Sequence, residues 1–562
     1  MTDAPPPPPV PLRGGDAVVP KAERSVLLVA LVAMLALRAA WILRRGYDTD
    51  EAQHYHVAWA WSEGRALWRD VFDNHMPLFH VLCAPFVSAV GERADALLFG
   101  RLAMVPLFLA ILGATYRIGA RLFGPRVGLF AAALLGCQSS FLNVSMEFRA
   151  DVLWAALWAG SIAALAGGAS GPRRAFGAGL LAGLAFLASI KTARLLGGLA
   201  AAALLVALVS REAGSAWRAR ATRRAALAYA IGGVLPLGAT LGAVALSGRL
   251  EPFLRCVVLH NLSGAFGADV GVGALALLGI ACGRWLRGPD EGVRRGPAVL
   301  FVGSVLPIVG AWTIWPVGSN HDFVATLPVL APFAAVWLVR AGDALSRKAP
   351  RGLRERLGAG LLALALVGEV SFLSFGRVAR DGAQAQEALL ADVLRLTRAT
   401  DRVMDAKGET VFRDRAMFPV LELVTKDRLR RGEAEDRIPE ACVEGHACVA
   451  VTRLDAFPPR GRAFLATHYV PVGPLRVVGV VLDRPREGGA DLDVMIVVPD
   501  VYALRWEAET GAATLDGLAF DGPRPLAAGT HRLHVTAGDG RVAVLWARAV
   551  ERGFTPFAAR VP

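Results

Sequence analysis

Long apolar segments recur through the first two thirds of this 562-residue chain, and they constrain its fold more than any other feature. A helix that crosses a bilayer needs about 20 predominantly apolar residues. By that measure the sequence predicts about eleven spans, near residues 25–43, 95–119, 126–143, 152–169, 176–190, 193–210, 225–247, 268–285, 297–315, 323–340 and 357–376. Residues 77–90 are apolar but too few to cross, which predicts an interfacial or re-entrant helix. The predicted fold class is an α-helical polytopic membrane protein.

The distribution of charge supports a membrane location and argues against nucleic acid as a partner. Hydrophobic residues make up 54% of the chain and charged residues 19%, with a formal net charge of +13. From Arg377 onward there are 26 basic and 26 acidic residues, so the whole excess belongs to the apolar part. Basic residues concentrate in alternate connections between the predicted spans, as expected of cytoplasmic loops. This pattern places the N-terminus in the cytoplasm. With an odd number of spans, the C-terminal part then lies outside the cytoplasm.

Composition divides the chain into regions. Residues 1–24 are rich in proline and predict a disordered cytoplasmic tail. Residues 25–376 form the predicted transmembrane domain, and its first outer loop spans 44–94. The remainder predicts an extracytoplasmic α/β domain over 377–487. Alternating apolar residues between turn signals predict a small antiparallel β-module over 488–562.

Two of the six cysteines, Cys442 and Cys448, lie in the predicted extracytoplasmic part, where thiols can be oxidised. Their short separation leaves a local disulfide open. Metal binding together with His446 is the less favoured alternative, because no second pair of ligands lies nearby. The other four cysteines lie in apolar segments and are predicted only to pack.

The first outer loop carries three carboxylates within four residues, Asp48, Asp50 and Glu51, directly after a predicted span. Mutual repulsion in a partly dry setting is expected to raise the pKa of at least one of them toward the range of a general base. The alternative is a solvated acidic loop. Further polar residues of the loop are candidates for supporting roles: His54, Asp73 and His75.

The loop sequence YDTDEAQHYHVAWAWSEGRALWRDVFDNHMPLFHVLCAPF resembles the first outer loop of GT-C membrane glycosyltransferases. The nearest resemblance is to bacterial enzymes similar to protein O-mannosyltransferases and to the aminoarabinose transferase of lipid A. The matching positions are Asp50, Glu51, Gly64, Trp68, Asp70 and Asn74 to Pro77. The resemblance covers residues 25–340 and reaches the tail only loosely. It implies a bacterial inner-membrane enzyme that moves a sugar from a polyprenyl-phosphate donor to an envelope lipid, glycan or protein on the extracytoplasmic face.

A second acidic cluster, Glu147 and Asp151, is predicted at the outer end of the third span, on the same side as Asp50. The family has an acidic residue in a similar place, which implies a role in orienting the acceptor or tuning the first carboxylate. Four residues apart on a helix, the two would share a face, with Arg149 turned elsewhere. The alternative is an ion pair at the membrane edge.

A lipid phosphate that leaves carries negative charge, so the site is expected to contain cations that stabilise it. Lys191 and Arg194 are three residues apart, so both could contact one phosphate group. Charged side chains near the depth of a bilayer are costly, which indicates that they have a function. The alternative is snorkelling to the interface. In the family that the chain resembles, a His or Arg lies just before a proline-containing span and close to the donor phosphate. His321 is the candidate for this residue. Arg149 is a further candidate for the phosphate site.

The predicted reaction is an inverting displacement in which Asp50 takes the proton of an acceptor hydroxyl. Asp48 and Glu51 are expected to tune Asp50 or hold the acceptor. No cofactor is expected, although a divalent cation between Asp48 and Asp50 stays open. The alternatives are a transporter or flippase of lipid-linked glycans and a non-enzymatic membrane anchor for a glycan-binding tail. Polar clusters at span ends on one side, without an apparent inverted repeat, favour the enzyme.

Overall fold

Most of the chain has a defined structure. The computed structural model describes residues 19–166, 171–209, 220–262, 291–314, 320–348, 382–483, 490–508, 511–538 and 540–557, with five positions from 350 to 367. The predicted span near 268–285 lies outside these residues, as do almost all of that near 357–376 and most of the predicted disordered tail.

The N-terminal part is predominantly helical over the described residues. Its helices are α1 Lys21–Arg44, α2 Thr49–Ser62, α3 Leu78–Val90, α4 Ala96–Ala103, α5 Val105–Phe123, α6 Pro125–Cys137, α7 Ser139–Val144, α8 Ala150–Leu165, α9 Pro172–Ala188, α10 Thr192–Val209, α11 Arg220–Leu246, α12 Leu250–Phe253, α13 His260–Leu262, α14 Glu291–Ile314 and α15 Leu327–Lys348. A π-helical turn covers Leu254–Leu259 and a 3₁₀ turn covers Asn320–Asp322. Nine of the eleven predicted spans fall on these helices.

Several of these helices have membrane-spanning character. Within the described residues, four are long and apolar enough to cross a bilayer: Lys21–Arg44, Ala96–Phe123, Ala221–Leu246 and Leu327–Leu345. Five shorter apolar helices are Leu78–Val90, Pro125–Cys137, Ala150–Leu165, Thr192–Leu208 and Arg295–Ile308. The total of eleven spans and their orientation stay predictions.

One predicted span is interrupted for a local reason. The segment 126–143 breaks into α6 and α7 at Gln138, whose backbone is extended. Its side-chain oxygen accepts a hydrogen bond from the amide of Phe141 at 2.6 Å. A side chain that satisfies an amide of a helix's first turn starts a new helix there, so the apolar pattern alone overestimates the length of a continuous helix.

The C-terminal part is an α/β domain built on two sheets. Its helices are α16 Ala383–Leu396, α17 Leu423–Arg430, α18 Ile438–Glu444, α19 Pro459–His468 and α20 Ala547–Glu551. Its strands are β1 Arg402–Met404, β2 Asp414–Arg415, β3 Val449–Val451, β4 Tyr469–Val472, β5 Leu475–Leu482, β6 Ala490–Ile496, β7 Asp500–Trp506, β8 Gly511–Leu515, β9 Leu518–Ala519, β10 Arg524–Leu526, β11 Gly529–Gly538 and β12 Val542–Trp546. Eight strands form a mixed sheet in the order β10-β7-β12-β5-β3-β1-β2, with β4 also on β5, and four form an antiparallel sheet β6-β11-β8-β9.

The predicted boundary near residue 487 does not separate two domains. Strand β12 pairs antiparallel with β5, with Val544 opposite Val480, so strands from both sides of the boundary share one sheet. The predicted antiparallel module corresponds only to the smaller sheet. Strand alternation and turns reveal local strands, whereas which strands pair depends on contacts between distant residues.

The local disulfide that the sequence leaves open is not formed in the structure. Cys442 and Cys448 are both free, buried thiols. Cys442 belongs to α18, whereas Cys448 directly precedes β3 with its sulfur 3.3 Å from a carboxylate oxygen of Asp500. The turn between them passes through His446 at φ 46° and carries the chain from helix to sheet, so a short sequence spacing does not bring the sulfurs together.

The C-terminal domain packs on the first outer loop. Val411 and Phe412 are fully buried in the same hydrophobic core as Tyr55 and Trp59 of α2. The ring centroids of Tyr55 and Phe412 lie 6.0 Å apart in an edge-to-face arrangement. The two parts of the chain therefore share one core at this junction.

Close contact between α9 and α11 depends on glycine. A methyl group on Gly179 would overlap the carbonyl oxygen of Tyr229, and one on Gly183 would overlap that of Gly233. Small residues four apart let helices approach closely in a membrane, where packing replaces the hydrophobic effect.

Replacing Gly179 by alanine should destabilise the protein, by about 1–3 kcal/mol, because the added methyl forces the two backbones apart. The midpoint of thermal unfolding in detergent measures the effect. Gly177→Ala on the same helix is the matched control, since its methyl would meet no atom within 4 Å. Equal midpoints for the two variants would contradict the packing described.

Candidate active site

The first outer loop positions its carboxylates through a helix cap. Asp48 precedes α2, and its side chain accepts a hydrogen bond from the amide of Asp50 at 2.9 Å. Glu51 reaches back to accept from the amide of Asp48 at 2.9 Å. This reciprocal cap is the arrangement expected of an acidic residue followed three positions later by glutamate. It fixes Asp50 in the first turn of the helix.

Glu51 is a buried structural residue. Its side chain is fully buried, and its oxygens pair with Arg101 Nε at 2.8 Å and Nη2 at 2.6 Å. It also accepts from the amide of Phe148 at 3.1 Å. The prediction that Glu51 could hold the acceptor is therefore corrected, because its oxygens are occupied and it does not line the cavity described below. It anchors the helix that carries Asp50.

The three carboxylates of the loop do not form a repulsive cluster. Asp50 lies between two cations: Oδ2 is 2.5 Å from Arg149 Nη2, and Oδ1 contacts the ammonium of Lys407. Asp48 also contacts Arg149, at 3.3 Å, while Glu51 turns toward Arg101. The expectation that repulsion dominates their electrostatics is not met, because each carboxylate faces a cation contributed by another segment.

Arg149 is the centre of the second acidic cluster. Residues Ser145 to Arg149 are not helical, and Arg149 has an extended backbone immediately before α8. Its guanidinium lies 3.3 Å from Asp151 and 3.6 Å from Glu147. The prediction that Arg149 turns away from these carboxylates is wrong, because it assumed a helix through this segment.

The predicted phosphate-binding cations lie around the same cluster. The ammonium of Lys191 is 3.0 Å from Asp151 and 3.2 Å from Asp322, and Arg194 is 3.3 Å from Asp322. His321 Nε2 lies 2.7 Å from a carboxylate oxygen of Glu147. Lys191 and Arg194 thus approach the same carboxylate oxygen of Asp322.

These groups surround a cavity of about 440 Å³ between the helical part and the C-terminal domain. Predicted site residues on its wall are Asp48, Asp50, His75, Arg149, Asp151, Lys191 and His321. Predicted site residues behind the wall are Glu51, Glu147, Arg194, His54 and Asp73. Cys442 and Cys448, the remaining candidates, belong to the core of the C-terminal domain.

A buried histidine network lies behind His75. Asp73 Oδ1 is 2.8 Å from His75 Nδ1, and Asp73 Oδ2 is 3.1 Å from His80 Nδ1. His80 Nε2 in turn lies 2.8 Å from His54 Nδ1. Burial opposes ionisation of Asp73, but His80 and His75 outweigh it and hold its pKa well below the usual range. Burial also lowers the pKa of His54. Asp73 thus fixes the orientation of His75 at the cavity wall.

The geometry does not favour the divalent cation left open between Asp48 and Asp50. Both carboxylates share the guanidinium of Arg149 as their counterion. Among the described residues no group of three or more His, Cys, Asp or Glu side chains has the geometry of a metal site.

Sequence patterns missed several residues of the site: Arg101, His80, Asp322, Lys407 and Glu422. Asp322 adjoins the predicted His321, so a search for paired charges around that histidine could have found it. Lys407 and Glu422 belong to a region of ordinary soluble composition, where no local signal marks them.

Comparison with known proteins places this geometry in context. Residues 74–237 match the family model described as dolichyl-phosphate-mannose-protein mannosyltransferase. ArnT from Cupriavidus metallidurans in the apo state matches with a TM-score of 0.56 at 15% identity, over 82% of this chain and 98% of that chain. ArnT from the same organism bound to undecaprenyl phosphate matches with a TM-score of 0.55 at 14% identity, over 81% and 98%. No curated protein matches. The predicted resemblance to GT-C membrane glycosyltransferases is confirmed, and the fold is shared with ArnT.

The buried pair of Glu51 and Arg101 generates a stability prediction. Arg101→Met leaves a buried carboxylate without its counterion and should cost about 3–5 kcal/mol, lowering the midpoint of thermal unfolding steeply. Arg93→Met is the control, because Arg93 pairs with Asp95 at the surface and such pairs contribute about 0–1 kcal/mol. If Arg101→Met unfolded at the wild-type temperature, Glu51 would not be the anchor described.

Proposed function

We propose that this chain, which has the GT-C fold, is a membrane glycosyltransferase that moves a sugar from a polyprenyl-phosphate donor to a hydroxyl group of an envelope acceptor on the extracytoplasmic face. The observation that carries the proposal is the placement of a carboxylate, Asp50, and an ammonium, Lys191, on the wall of one cavity. A base and a cation are what such a transfer needs. The shared fold with ArnT, of which a structure has undecaprenyl phosphate bound, supports the class of donor.

In the proposed reaction the acceptor oxygen attacks the anomeric carbon from the side opposite the phosphate, which inverts the configuration. The bond from that carbon to the phosphate oxygen breaks, and its electron pair stays on the phosphate. The hydroxyl proton passes to Asp50, whose carboxylate acts as general base. Arg149 holds the carboxylate in place through a 2.5 Å ion pair.

The cations of the cavity serve the leaving group. A sugar-linked polyprenyl phosphate gains a second negative charge as the glycosidic bond breaks, so a fixed cation stabilises the transition state more than the bound donor. Lys191 has three N–H donors, of which Asp151 and Asp322 engage two, so one remains for a phosphate oxygen. His321 on the same wall is a second phosphate ligand. Arg194 lies behind the wall and orients Asp322.

Asp50→Asn should lower turnover by about 10²–10⁴-fold, because the amide keeps the shape of the side chain but does not accept the proton. The measurement is release of polyprenyl phosphate by purified protein given a panel of polyprenyl-phosphate sugars and envelope lipid, glycan and protein acceptors.

Asp70→Asn is the matched control, since Asp70 belongs to the same loop but pairs with Arg69 outside this cavity. Near-normal transfer by Asp50→Asn together with loss in Asp151→Asn would show that the base is misassigned.

Movement of the lipid-linked sugar across the membrane of proteoliposomes, without release of polyprenyl phosphate, would support the flippase instead.

Lys191→Met keeps the apolar stem and removes the charge, so it should slow transfer by about tenfold or more with a smaller change in donor KM. The initial rate at saturating donor, compared with KM, separates the two effects. Lys191→Arg should retain part of the activity, because either cation can meet a phosphate. Wild-type rates for both Lys191→Met and Arg194→Met would leave these residues with a structural role only.

A further inference from the structure

A loop of the C-terminal domain, residues 405–411, docks on the helix that carries Asp50. The carbonyl oxygen of Val411 lies 2.7 Å from Nδ1 of His56. Gly408 adopts φ +88°, and a methyl group there would lie 3.2 Å from Cβ of His56 and 3.4 Å from Cα of Gln53. The backbone of the loop therefore lies directly against α2, one to two turns after Asp50.

The loop is organised around a buried carboxylate. Asp405 accepts from the amides of Gly408 and Thr410 at 2.9 and 3.0 Å, and from the hydroxyl of Thr410 at 2.7 Å. Nε of Arg415 donates to it at 2.7 Å. Burial opposes ionisation, but Arg415 and His56 outweigh it and lower the pKa of Asp405. A loop with this many internal bonds has its conformation set before any substrate binds.

Lys407 extends from this loop to the cavity wall. Its ammonium contacts Oδ1 of Asp50, while Arg149 contacts Oδ2, so the carboxylate is held from two sides. Burial lowers the pKa of Lys407, and the carboxylates of Asp48, Glu422 and Glu409 oppose that shift.

We infer that Lys407 is a positioning residue of the active site, by which the C-terminal domain fixes the orientation and charge of the Asp50 carboxylate. The inference rests on the proposed function of Asp50 as the base. It makes the C-terminal domain part of the active site instead of an appended module.

The two ion pairs leave lone pairs of the Asp50 carboxylate available for the reaction. A carboxylate has about four lone-pair positions, so an acceptor hydroxyl can still bond to Asp50 while both cations hold it. Without Lys407 the Asp50 carboxylate keeps its ion pair with Arg149, but Oδ1 loses the contact that holds it in place. It also becomes easier to protonate, because a neighbouring cation favours the ionised form.

The charged groups facing this carboxylate come from several elements. Those on the cavity wall are Asp48, His75, Arg149, Asp151, Lys191, His321, Asp322, Lys407 and Glu422. All of them except Lys407 stay unchanged in Lys407→Met, so a change in the pH dependence of that variant reports the loss of this one cation.

The test compares Lys407→Met, Lys407→Arg and the control Lys426→Met in full-length protein. Lys426 is on the same domain, and its charge lies near Lys407 without lining the cavity. We expect Lys407→Met to lower kcat by about tenfold or more with a donor KM within about threefold of wild type. The acidic limb of its pH–rate profile should move to higher pH, whereas Lys407→Arg restores both and Lys426→Met changes neither.

A second measurement does not depend on activity. A double-mutant cycle of thermal unfolding with Asp50→Asn, Lys407→Met and the double variant should show non-additive shifts, because the two side chains form one ion pair. Additive shifts would overturn the ion pair itself.

The outcomes separate this inference from the proposed function. Loss of transfer in Asp50→Asn, with a wild-type rate and pH profile in Lys407→Met, overturns the role of Lys407 and leaves the base in place. A wild-type protein that transfers no sugar from any donor overturns the proposed function, and with it the role of Lys407 in transfer.

Discussion

The guanidinium of Arg149 is the interaction on which the site depends. It contacts Asp48, Asp50, Glu147 and Asp151, which come from two separate segments of the chain. Carboxylates this close in a partly buried setting would repel one another or take up protons without a shared cation. Arg149 therefore allows carboxylates of the first outer loop and of the start of α8 to meet at one cavity.

The C-terminal domain is the other determinant of the site. Its loop 405–411 lies on α2, its residue Phe412 enters the core of the first outer loop, and its Lys407 reaches Asp50. Glu422 at the start of α17 lines the same cavity and lies 2.8 Å from His260 of the helical part. A rigid scaffold behind a catalytic group limits the geometries that it can adopt, which is how a distant domain can influence transfer.

Much of the fold and part of the site could be predicted from local patterns. Apolar runs identify most of the long helices, and the acidic cluster after the first of them identifies residues of the site. The same patterns misjudged Glu51, because burial against Arg101 is a property of another segment. They also misjudged Arg149, since helical spacing was assumed where the chain is extended. The boundary near 487 was wrong because strands that are distant in sequence pair in one sheet.

The sequence by itself determined most of the apolar helices among the described residues, and which charged residue types follow them. Those properties follow from composition and spacing within a few residues. Only the tertiary structure decided which charges meet: Asp50 and Lys407 are 357 positions apart, and Glu147 and His321 are 174 apart. Ion pairing depends on separation in space, so no local pattern encodes it until packing has brought the segments together.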